Sequence, residues 1–494
     1  MTPTKTECSA ETYSFGQLNR RQVVADFSGG HLSSDGGLIL VAEVDRFYRI
    51  SERVAECFED YRDPARVQHS LSDLIAQRLY GLVQGYEDLN DHDWLRHDLM
   101  FGIAVGKLES EHERCAALAG KSTLNRLEQA MHGEVDVSDQ RYVKVCLNPK
   151  QMESLLVEIF LEQSLQAPKQ IILDLDVSDD PVHGNQEQAF FNGYYDQVCY
   201  APLFIFCGRH LLAAKLRPSN VDPAQGALEE LQRIIAQIRG QWKDVEIVVR
   251  GDSAYGRDDI MKWCESQQRV EYVLAHASNE RLRTMTWGLE QRAKAAYQKQ
   301  RETLASTLEG VATPAEMKAD LDALVPPQVW YQSLSYQTLE SWSSQRRVVC
   351  KLTYDGSGAR RHFVVTSFST EQLSPGKLHS DYYCPRGEME NRIKEHQLDL
   401  FSDRTSTHEF ESNQLRLWWS SFAYVLMQSL RQYGLAKSEL ADAQLGTIRL
   451  KLLKVGAQIR LSVRRVVIAF SSAWAGQGLF HQVYQQLQQL PRPG

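Results

Sequence analysis

The sequence lacks the features that identify secreted, zinc-binding and membrane proteins. Its 9 cysteines are odd in number and scattered, and they form no Cys-x-x-Cys pair. They therefore indicate neither a zinc site nor a disulfide framework, and we expect a reducing cytoplasm. The opening residues, MTPTKTECSAETYSFGQ, contain no apolar signal segment. Because no apolar run is long enough to span a bilayer, we expect no membrane association.

The charges are distributed unevenly along the chain. The 494 residues carry a net charge of −8, which does not by itself suggest a nucleic-acid partner. However, no Asp or Glu follows Asp442. The basic residues of this acid-free tail include Arg449, Lys451, Lys454, Arg460, Arg464 and Arg465. Such a segment is typical of a surface that binds DNA phosphates; the alternative is a basic helix face without a partner.

Hydrophobic periodicity and turn residues predict a mixed α/β organisation in six segments. Strands alternate with helices in the order β-β-β-α-β-α-β over about 110 residues after residue 167, which favours a mixed sheet covered by helices on both faces. The segments are a β/α start (1–65), a helical region (66–166), the first part of an α/β core (167–280), a polar helix followed by antiparallel strands (281–380), helices that complete the core (381–435) and a basic C-terminal region (436–494).

Two predicted strands of the core carry carboxylates. In QIILDLDVS, Asp174 and Asp176 interrupt an apolar strand, and alternation places them on the same face. A buried carboxylate is costly unless it is paired or bound to a metal. In VEIVVRGDS, Asp252 follows the end of another strand, where functional groups of open α/β sheets gather. An Asp that only caps a turn is the alternative, and we interpret the Arg-Gly-Asp tripeptide as a chance match to an adhesion signal.

A third carboxylate lies in YYCPRGEMENRIKEHQLDLF, which predicts a helix over 384–399. Relative to Tyr383, the residues Arg386, Glu390, Lys394 and Gln397 fall on one helical face. By itself this is an ordinary salt-bridged surface helix. Combined with the two strand carboxylates, it indicates an oxygen-ligand cluster suited to two Mg²⁺ ions. Such a pair activates a water or a 3′-hydroxyl at a phosphodiester, and the two cations beside Glu390 suit phosphates.

Several long blocks resemble the DDE transposases of bacterial insertion sequences, specifically the insertion-sequence 1380 family. The blocks are LAGKSTLNRLE, LDLDVSDDPVHGNQEQAFFNGYYDQVCYAPLFIF, VVRGDSAYG, ENRIKEHQLDLFSDRTS and IRLKLLKVGAQIRLSVRRV. The resemblance implies an RNase H-like catalytic domain with a β-rich insertion between the second Asp and the Glu. It also implies that the helical region 66–166 binds the ends of the element.

The resemblance assigns roles to individual residues. Asp176 matches the first Asp of the family, with Asp174 in reserve, Asp252 matches the second, and Glu390 matches the Glu. Tyr383 and Arg386 match the related Tyr-x2-Arg-x3-Glu-x6-Lys signature as DNA-contacting residues. Gln397 stands where that signature has Lys, and Lys394 is its substitute on the same face. Trp330 and Trp342 of the insertion are candidates for holding a flipped base, although a core Trp is commoner.

The function implied by the resemblance is DNA transposition. Such an enzyme binds terminal inverted repeats, hydrolyses the phosphodiester at each end with Mg²⁺ or Mn²⁺, and joins the 3′-hydroxyl to target DNA. We expect a cytoplasmic homodimer that is associated with the nucleoid when bound to DNA. We expect no ATP binding, because Cys115 replaces the first Gly of a Walker motif at AGKST. The alternatives are an RNase H-like nuclease or resolvase without strand transfer, and an inactive transposase-derived DNA-binding regulator.

Overall fold

The computed structural model describes residues 12–109, 116–133, 143–164, 166–308 and 324–490. The chain forms two compact units. The first comprises Met1–Pro149, Asp399–Phe401 and Phe422–Gly494, and the second comprises Lys150–Leu398 and Ser402–Ser421. The basic C-terminal region therefore folds with the N-terminal region. Within the described residues, no helix is long and apolar enough to cross a membrane.

The first unit is mainly helical and carries three small sheets. The region 66–166, predicted to be helical, contains the helix Leu71–Gln84: it begins after a capping box of Ser70 with Asp73 and ends at Gly85, whose φ of 90° needs glycine. Its other principal helices are Leu38–Tyr48, Ile50–Glu56, Leu99–Val105, Lys121–Glu128 and Gln477–Gln488. Its strands are β1 Tyr13–Leu18, β2 Arg21–Ala25, β3 His31–Ser33, β4 Phe58–Asp60, β5 Met131–His132, β6 Val145–Leu147, β18 Ala457–Ser462 and β19 Arg465–Phe470. They pair as β1-β2, β4-β6-β5 and β19-β18-β3.

The second unit is built on an eight-stranded mixed sheet with the order β12-β11-β7-β13-β14-β17-β16-β15. Its strands are β7 Gln170–Val177, β11 Leu203–Cys207, β12 His210–Lys215, β13 Glu246–Gly251, β14 Val270–His276, β15 Gln328–Tyr336, β16 Arg346–Asp355 and β17 Gly358–Thr366. Strands β7, β13 and β14 are parallel, and β11 is antiparallel to β7. The order β12-β11-β7-β13-β14 is the arrangement expected of an RNase H-like core.

Helices flank this sheet as the alternating pattern predicts. They include Pro149–Glu162, Ala227–Gln241, Asp258–Ser266 and Trp287–Leu308. The alternate residues Leu173 and Leu175 of β7 enter the larger apolar core, together with residues of these helices. Ile172 packs with a smaller cluster that contains Val248 and Leu378. The sheet is thus covered on both faces, and the predicted α/β class is confirmed.

The strands of the predicted insertion do not form a sheet of their own. The sequence predicts antiparallel strands in 281–380, and β15, β16 and β17 are those strands. However, β17 pairs antiparallel with β14, so the hairpins extend the core sheet. Burial explains this continuity: Val348, Val365 and Phe363 belong to the same apolar core as β7. A shorter sheet, β8-β10-β9, contains β8 Asp180–Pro181, β9 Phe190–Asn192 and β10 Gln197–Tyr200.

The helix predicted over 384–399 is a continuous helical run with changing pitch. A π-helical stretch, Leu378–Tyr383, leads through a 3₁₀ turn, Cys384–Arg386, into the α-helix Gly387–Lys394. A second π-helical stretch, Glu395–Asp399, follows. We call Gly387–Lys394 the glutamate helix because it carries Glu390. The later helix Phe410–Ser429 follows the intervening loop.

Candidate active site

The register of two parallel strands places Asp176 and Asp252 at one edge of the sheet. Gly251 pairs with Leu175, so the residues that follow, Asp252 and Asp176, emerge side by side. A Cβ at Gly251 would lie 2.7 Å from the ring of buried Tyr255, which explains why glycine precedes the carboxylate. Asp252 also accepts a 2.9 Å hydrogen bond from the Ala254 amide as a turn cap. Asp252 therefore caps a turn and also lies at the edge of the sheet beside Asp176, so the two interpretations of this residue are compatible.

Glu390 approaches these two residues from the glutamate helix. Arg386, one turn earlier, donates a 2.9 Å hydrogen bond to the Asp176 carboxylate and lies 3.4 Å from that of Glu390. Its guanidinium therefore bridges a strand carboxylate and a helix carboxylate. All four residues line one pocket of about 580 Å³, which lies within the usual size range of ligand sites.

Burial and neighbouring charge perturb the titration of Asp176. Burial raises the pKa of Asp176 to about 6, and the carboxylates of Asp252 and Glu390 add to the rise. Arg386 and the hydrogen bond from the Val177 amide lower that pKa in part. Burial lowers the pKa of Arg386, but Asp176 and its neighbours more than offset this and raise it. The site therefore concentrates negative charge and holds a cation against it.

Asp174 has a different partner. Its carboxylate receives two hydrogen bonds from Arg250, one of them 2.7 Å long, and both side chains are buried. The two residues are register partners on β7 and β13. Arg250 also donates to the backbone oxygen of Tyr382, ahead of the glutamate helix. Because Arg250 is only 6% exposed, the Arg-Gly-Asp tripeptide is not displayed on the surface.

Gln397, which departs from the resembled signature, lies in the π-helical stretch that follows the glutamate helix. Its side chain binds the segment after β7. Its amide nitrogen donates to the Asp179 carbonyl at 2.9 Å and to the Asp180 carboxylate at 3.0 Å, and its oxygen accepts from Ser178 at 3.1 Å. Asp180 is fully buried, and burial raises its pKa well above the usual value. Asp180 is therefore a core residue.

The remaining predicted DNA-contacting residues of the second unit differ in environment. Tyr383 is half-buried and packs against His362 with ring centroids 4.7 Å apart. Burial raises the pKa of the Tyr383 hydroxyl, and Arg386 partly lowers it. Lys394 is exposed. The role predicted for Lys394, that it replaces the signature's Lys in contacting DNA, stays a prediction.

The basic tail divides into folded and exposed cations. Arg449 donates to the carbonyl of Val83 at 2.6 Å, and Lys454 forms a 2.7 Å ion pair with buried Asp35. Both side chains are therefore engaged inside the first unit. The phosphate-binding role predicted for them stays a prediction. Among the described residues of the tail, the exposed cations are Lys451, Arg460, Arg464 and Arg465. The last three lie on or between β18 and β19, which form a hairpin.

The two tryptophans predicted to hold a flipped base, Trp330 and Trp342, pack against or within the core. Trp342 is 5% exposed and packs against Tyr336, His276 and the guanidinium of Arg346. Trp330 is partly buried against the same core, with Arg292 over its ring at 5.9 Å. Burial of the Trp342 indole leaves no open face for a base, so the core interpretation applies to Trp342.

The residues of the pocket suit a divalent cation by chemistry. Asp176, Asp252 and Glu390 provide only carboxylate oxygens, the ligands that Mg²⁺ and Mn²⁺ prefer. In the described parts of the chain, no three His, Cys, Asp or Glu side chains converge in a metal-binding arrangement. Instead the Arg386 guanidinium occupies the position between Asp176 and Glu390. The Glu390 side chain is 52% exposed, which leaves it room to change rotamer.

Two features beside the site are absent from the sequence prediction. Arg250 is a charged residue inside an apolar strand, a pattern that predicts an opposite charge on a neighbouring strand, and it pairs with Asp174. The turn between β9 and β10 contributes Asn192, Tyr194 and Tyr195 to the same pocket as Asp176. The local signal for this turn is Asn-Gly followed by paired aromatic residues, NGYYD.

Comparisons with known proteins identify the family. Residues 15–492 match the family model described as Transposase DDE domain group 1. A solved structure similar to this chain is the cryo-EM structure of the piggyBac transposase synaptic complex with hairpin DNA. That structure shares 10% sequence identity with a TM-score of 0.37, covering 85% of this chain and 80% of the other. No curated protein matches. Because the family model spans nearly the whole sequence, the chain belongs to the DDE transposase domain group 1 family.

Proposed function

We propose that the protein is the transposase of a bacterial insertion sequence of the 1380 type. In this proposal it binds the terminal inverted repeats, cuts each end by hydrolysis, and joins the freed 3′-hydroxyl to target DNA. The observation that carries the proposal is the shared pocket of Asp176, Asp252 and Glu390, which come from two strand ends and a distant helix. A homodimer acting in the bacterial cytoplasm suits a reaction in which two DNA ends are handled together.

The side chains of the pocket have separate tasks in the proposed reaction. Asp176, Asp252 and Glu390 would hold two divalent cations, and Arg386, which contacts Asp176 in this structure, would move to a phosphate oxygen when DNA enters. Bound Mg²⁺ would supply charge neutralisation at the phosphate and a more acidic water. In this proposal Asp174 is not a metal ligand; the observation that supports this is that Arg250 donates to both of its oxygens in a buried pair.

Bond changes in the two steps balance without any further reactant. In the first step, a water oxygen bonds to phosphorus and the phosphorus–O3′ bond breaks. One water proton goes to the departing 3′-oxygen, which gives a 3′-hydroxyl, and the other stays on the 5′-phosphate or passes to solvent. In the second step, the oxygen of the freed 3′-hydroxyl bonds to a target phosphorus, the target's phosphorus–O3′ bond breaks, and the displaced 3′-oxygen takes up the proton that the attacking hydroxyl loses. In both steps negative charge develops on phosphate oxygens in the transition state. Cations held in the pocket would stabilise that charge and so lower the activation barrier.

Cleavage of the natural DNA ends tests the proposal. The substrates are duplexes of the DNA that flanks the gene in its genome, with Mg²⁺ or Mn²⁺. We expect the wild type to nick at the end of the element, and Asp252→Asn and Glu390→Gln to lose at least a hundredfold in rate. Pre-cleaved ends mixed with target DNA then separate the alternatives: joined product supports a transposase, and cleavage without joining supports a nuclease. Absence of cleavage by the wild type would support the DNA-binding regulator.

A further inference from the structure

The carboxylate pocket has a second wall made of tyrosines. The turn between β9 and β10, Gly193-Tyr194-Tyr195-Asp196, contributes Tyr194 and Tyr195 to the pocket that contains Asp176 and Asp252. Tyr194 is 88% exposed, whereas Tyr195 is half-buried. Their rings meet edge to face with centroids 5.0 Å apart. An acidic wall and an aromatic wall thus share one cavity.

The turn that presents Tyr194 is held in place by hydrogen bonds. The Asn192 carboxamide oxygen accepts from the backbone amides of Tyr194 at 2.9 Å and Tyr195 at 3.3 Å. Its nitrogen donates to the Ser219 carbonyl at 2.7 Å, and the Ser219 hydroxyl donates to the Phe190 carbonyl at 2.7 Å. The backbone at the turn is therefore fixed, although the ring of Tyr194 is open to solvent.

An anchored backbone beneath an exposed aromatic ring is a feature of preorganised binding surfaces. Fixing the turn in advance reduces the ordering cost that binding would otherwise incur. Nearly all of the Tyr194 surface is exposed, so packing of its ring contributes little to the stability of the fold. A large aromatic side chain at this position therefore needs another explanation. The apolar face of a nucleobase is the ligand that suits such a ring next to a phosphate-binding site, since stacking on aromatic rings tolerates any base.

We propose that Tyr194 stacks on an unstacked nucleobase next to the phosphodiester cut in this pocket. The inference rests on the proposed function, because it assigns the phosphate to the carboxylate wall and the base to the aromatic wall. Tyr194 acts as a positioning residue: it holds the nucleotide while Asp176, Asp252 and Arg386 face the phosphate. A cavity of about 580 Å³ has room for a nucleotide-sized group.

The test uses end duplexes with 2-aminopurine at the nucleotides adjoining the cleaved bond. On binding, we expect a fluorescence change with the wild type in Ca²⁺ that is lost in Tyr194→Ala. With Mg²⁺, Tyr194→Ala should cut about tenfold more slowly, the scale expected for loss of one stacked base. Tyr194→Phe and Tyr194→Trp should restore both signals, because the ring rather than the hydroxyl stacks.

Trp287→Ala is the matched control, since Trp287 is also an exposed aromatic residue of the same unit, at 62%. It should leave cleavage and fluorescence unchanged. The inference is overturned if Tyr194→Ala behaves as the wild type, or if Tyr194→Phe fails as badly as Tyr194→Ala. Failure of the proposed function is distinct: in that case the wild type does not cut, or Asp252→Asn cuts equally well.

Discussion

Arg386 and Asp176 form an ion pair with a 2.9 Å separation at the centre of the proposed catalytic pocket. Because a divalent cation on Asp176 would compete with this guanidinium, we predict that Arg386→Gln binds Mn²⁺ more tightly in the absence of DNA, by about tenfold. The same variant should cleave DNA more slowly, since a phosphate partner is lost. Isothermal titration with Mn²⁺ and a cleavage assay measure the two effects.

The control for that prediction is Arg257→Gln. Arg257 lines the same pocket but pairs with Asp222 at 2.5 Å. We expect its loss to leave Mn²⁺ affinity within about twofold of the wild type, because it does not bind the carboxylates of the site. Weaker Mn²⁺ binding by Arg386→Gln would contradict the competition between guanidinium and metal.

The pair Asp174–Arg250 is predicted to act as a unit in stability. Removing one buried partner leaves an uncompensated charge, so Arg250→Met should lower the free energy of unfolding by about 3 kcal/mol or more. The double variant Asp174→Leu/Arg250→Met should recover much of that loss, since no buried charge remains. Urea denaturation of the wild type, both single variants and the double variant provides the cycle; simple additivity would rule out coupling.

Gln397 is predicted to stabilise the segment after β7 through Asp180. Gln397→Leu leaves the buried Asp180 carboxyl and the Asp179 carbonyl without this donor, and should cost about 1–3 kcal/mol. Gln397→Glu should cost more above neutral pH, because a second carboxylate then faces Asp180. Gln397→Lys restores a donor and is the comparison variant. Equal stability of all four proteins in urea denaturation would contradict this role.

Acid sensitivity is predicted from His396, which is fully buried beside Phe204 and Ser421. Burial lowers the pKa of His396 to about 3, whereas the unfolded chain titrates near 6.5. The unfolded state therefore takes up the proton first as pH falls. Stability should be unaffected well above pH 6.5 and decrease below it by up to about 1.4 kcal/mol per pH unit for this residue, down to about pH 3.

Denaturation curves between pH 7.5 and 5 measure this dependence. Other buried histidines contribute in the same direction, so His396→Gln should reduce the slope rather than abolish it. Lys394→Gln, an exposed change two residues away, is the control and should leave the slope unchanged. A slope in His396→Gln equal to that of the wild type would show that this imidazole is not the source.

Local sequence predicts some of this molecule well, for identifiable physical reasons. The strand–helix alternation predicted after residue 167 is confirmed, and the region predicted to be helical contains the helix Pro149–Glu162, because apolar periodicity indicates directly which face is buried. The pairing of β17 with β14 was not predictable, since strand alternation does not specify the neighbouring strand. Partner choice is a property of the folded sheet.

The candidate site shows the same division between local and long-range information. The alternation of β7 predicts that Asp174 and Asp176 share a face, but it does not distinguish an ion-paired carboxylate from a pocket carboxylate. Arg250 on the neighbouring strand makes that distinction. Similarly, the tail's basic composition does not separate Lys454, paired with buried Asp35, from exposed Arg465.

The most direct test of the account is the position of bound metal. Crystals of the protein are grown with end DNA in which a non-hydrolysable linkage replaces the phosphorus–O3′ bond that is cut. They are soaked in Mn²⁺ and measured for anomalous scattering. The account predicts peaks within about 2.0–2.6 Å of carboxylate oxygens of Asp176, Asp252 and Glu390, with Arg386 displaced toward phosphate. Manganese bound elsewhere, with Arg386 still bridging Asp176 and Glu390 in the DNA complex, would contradict it.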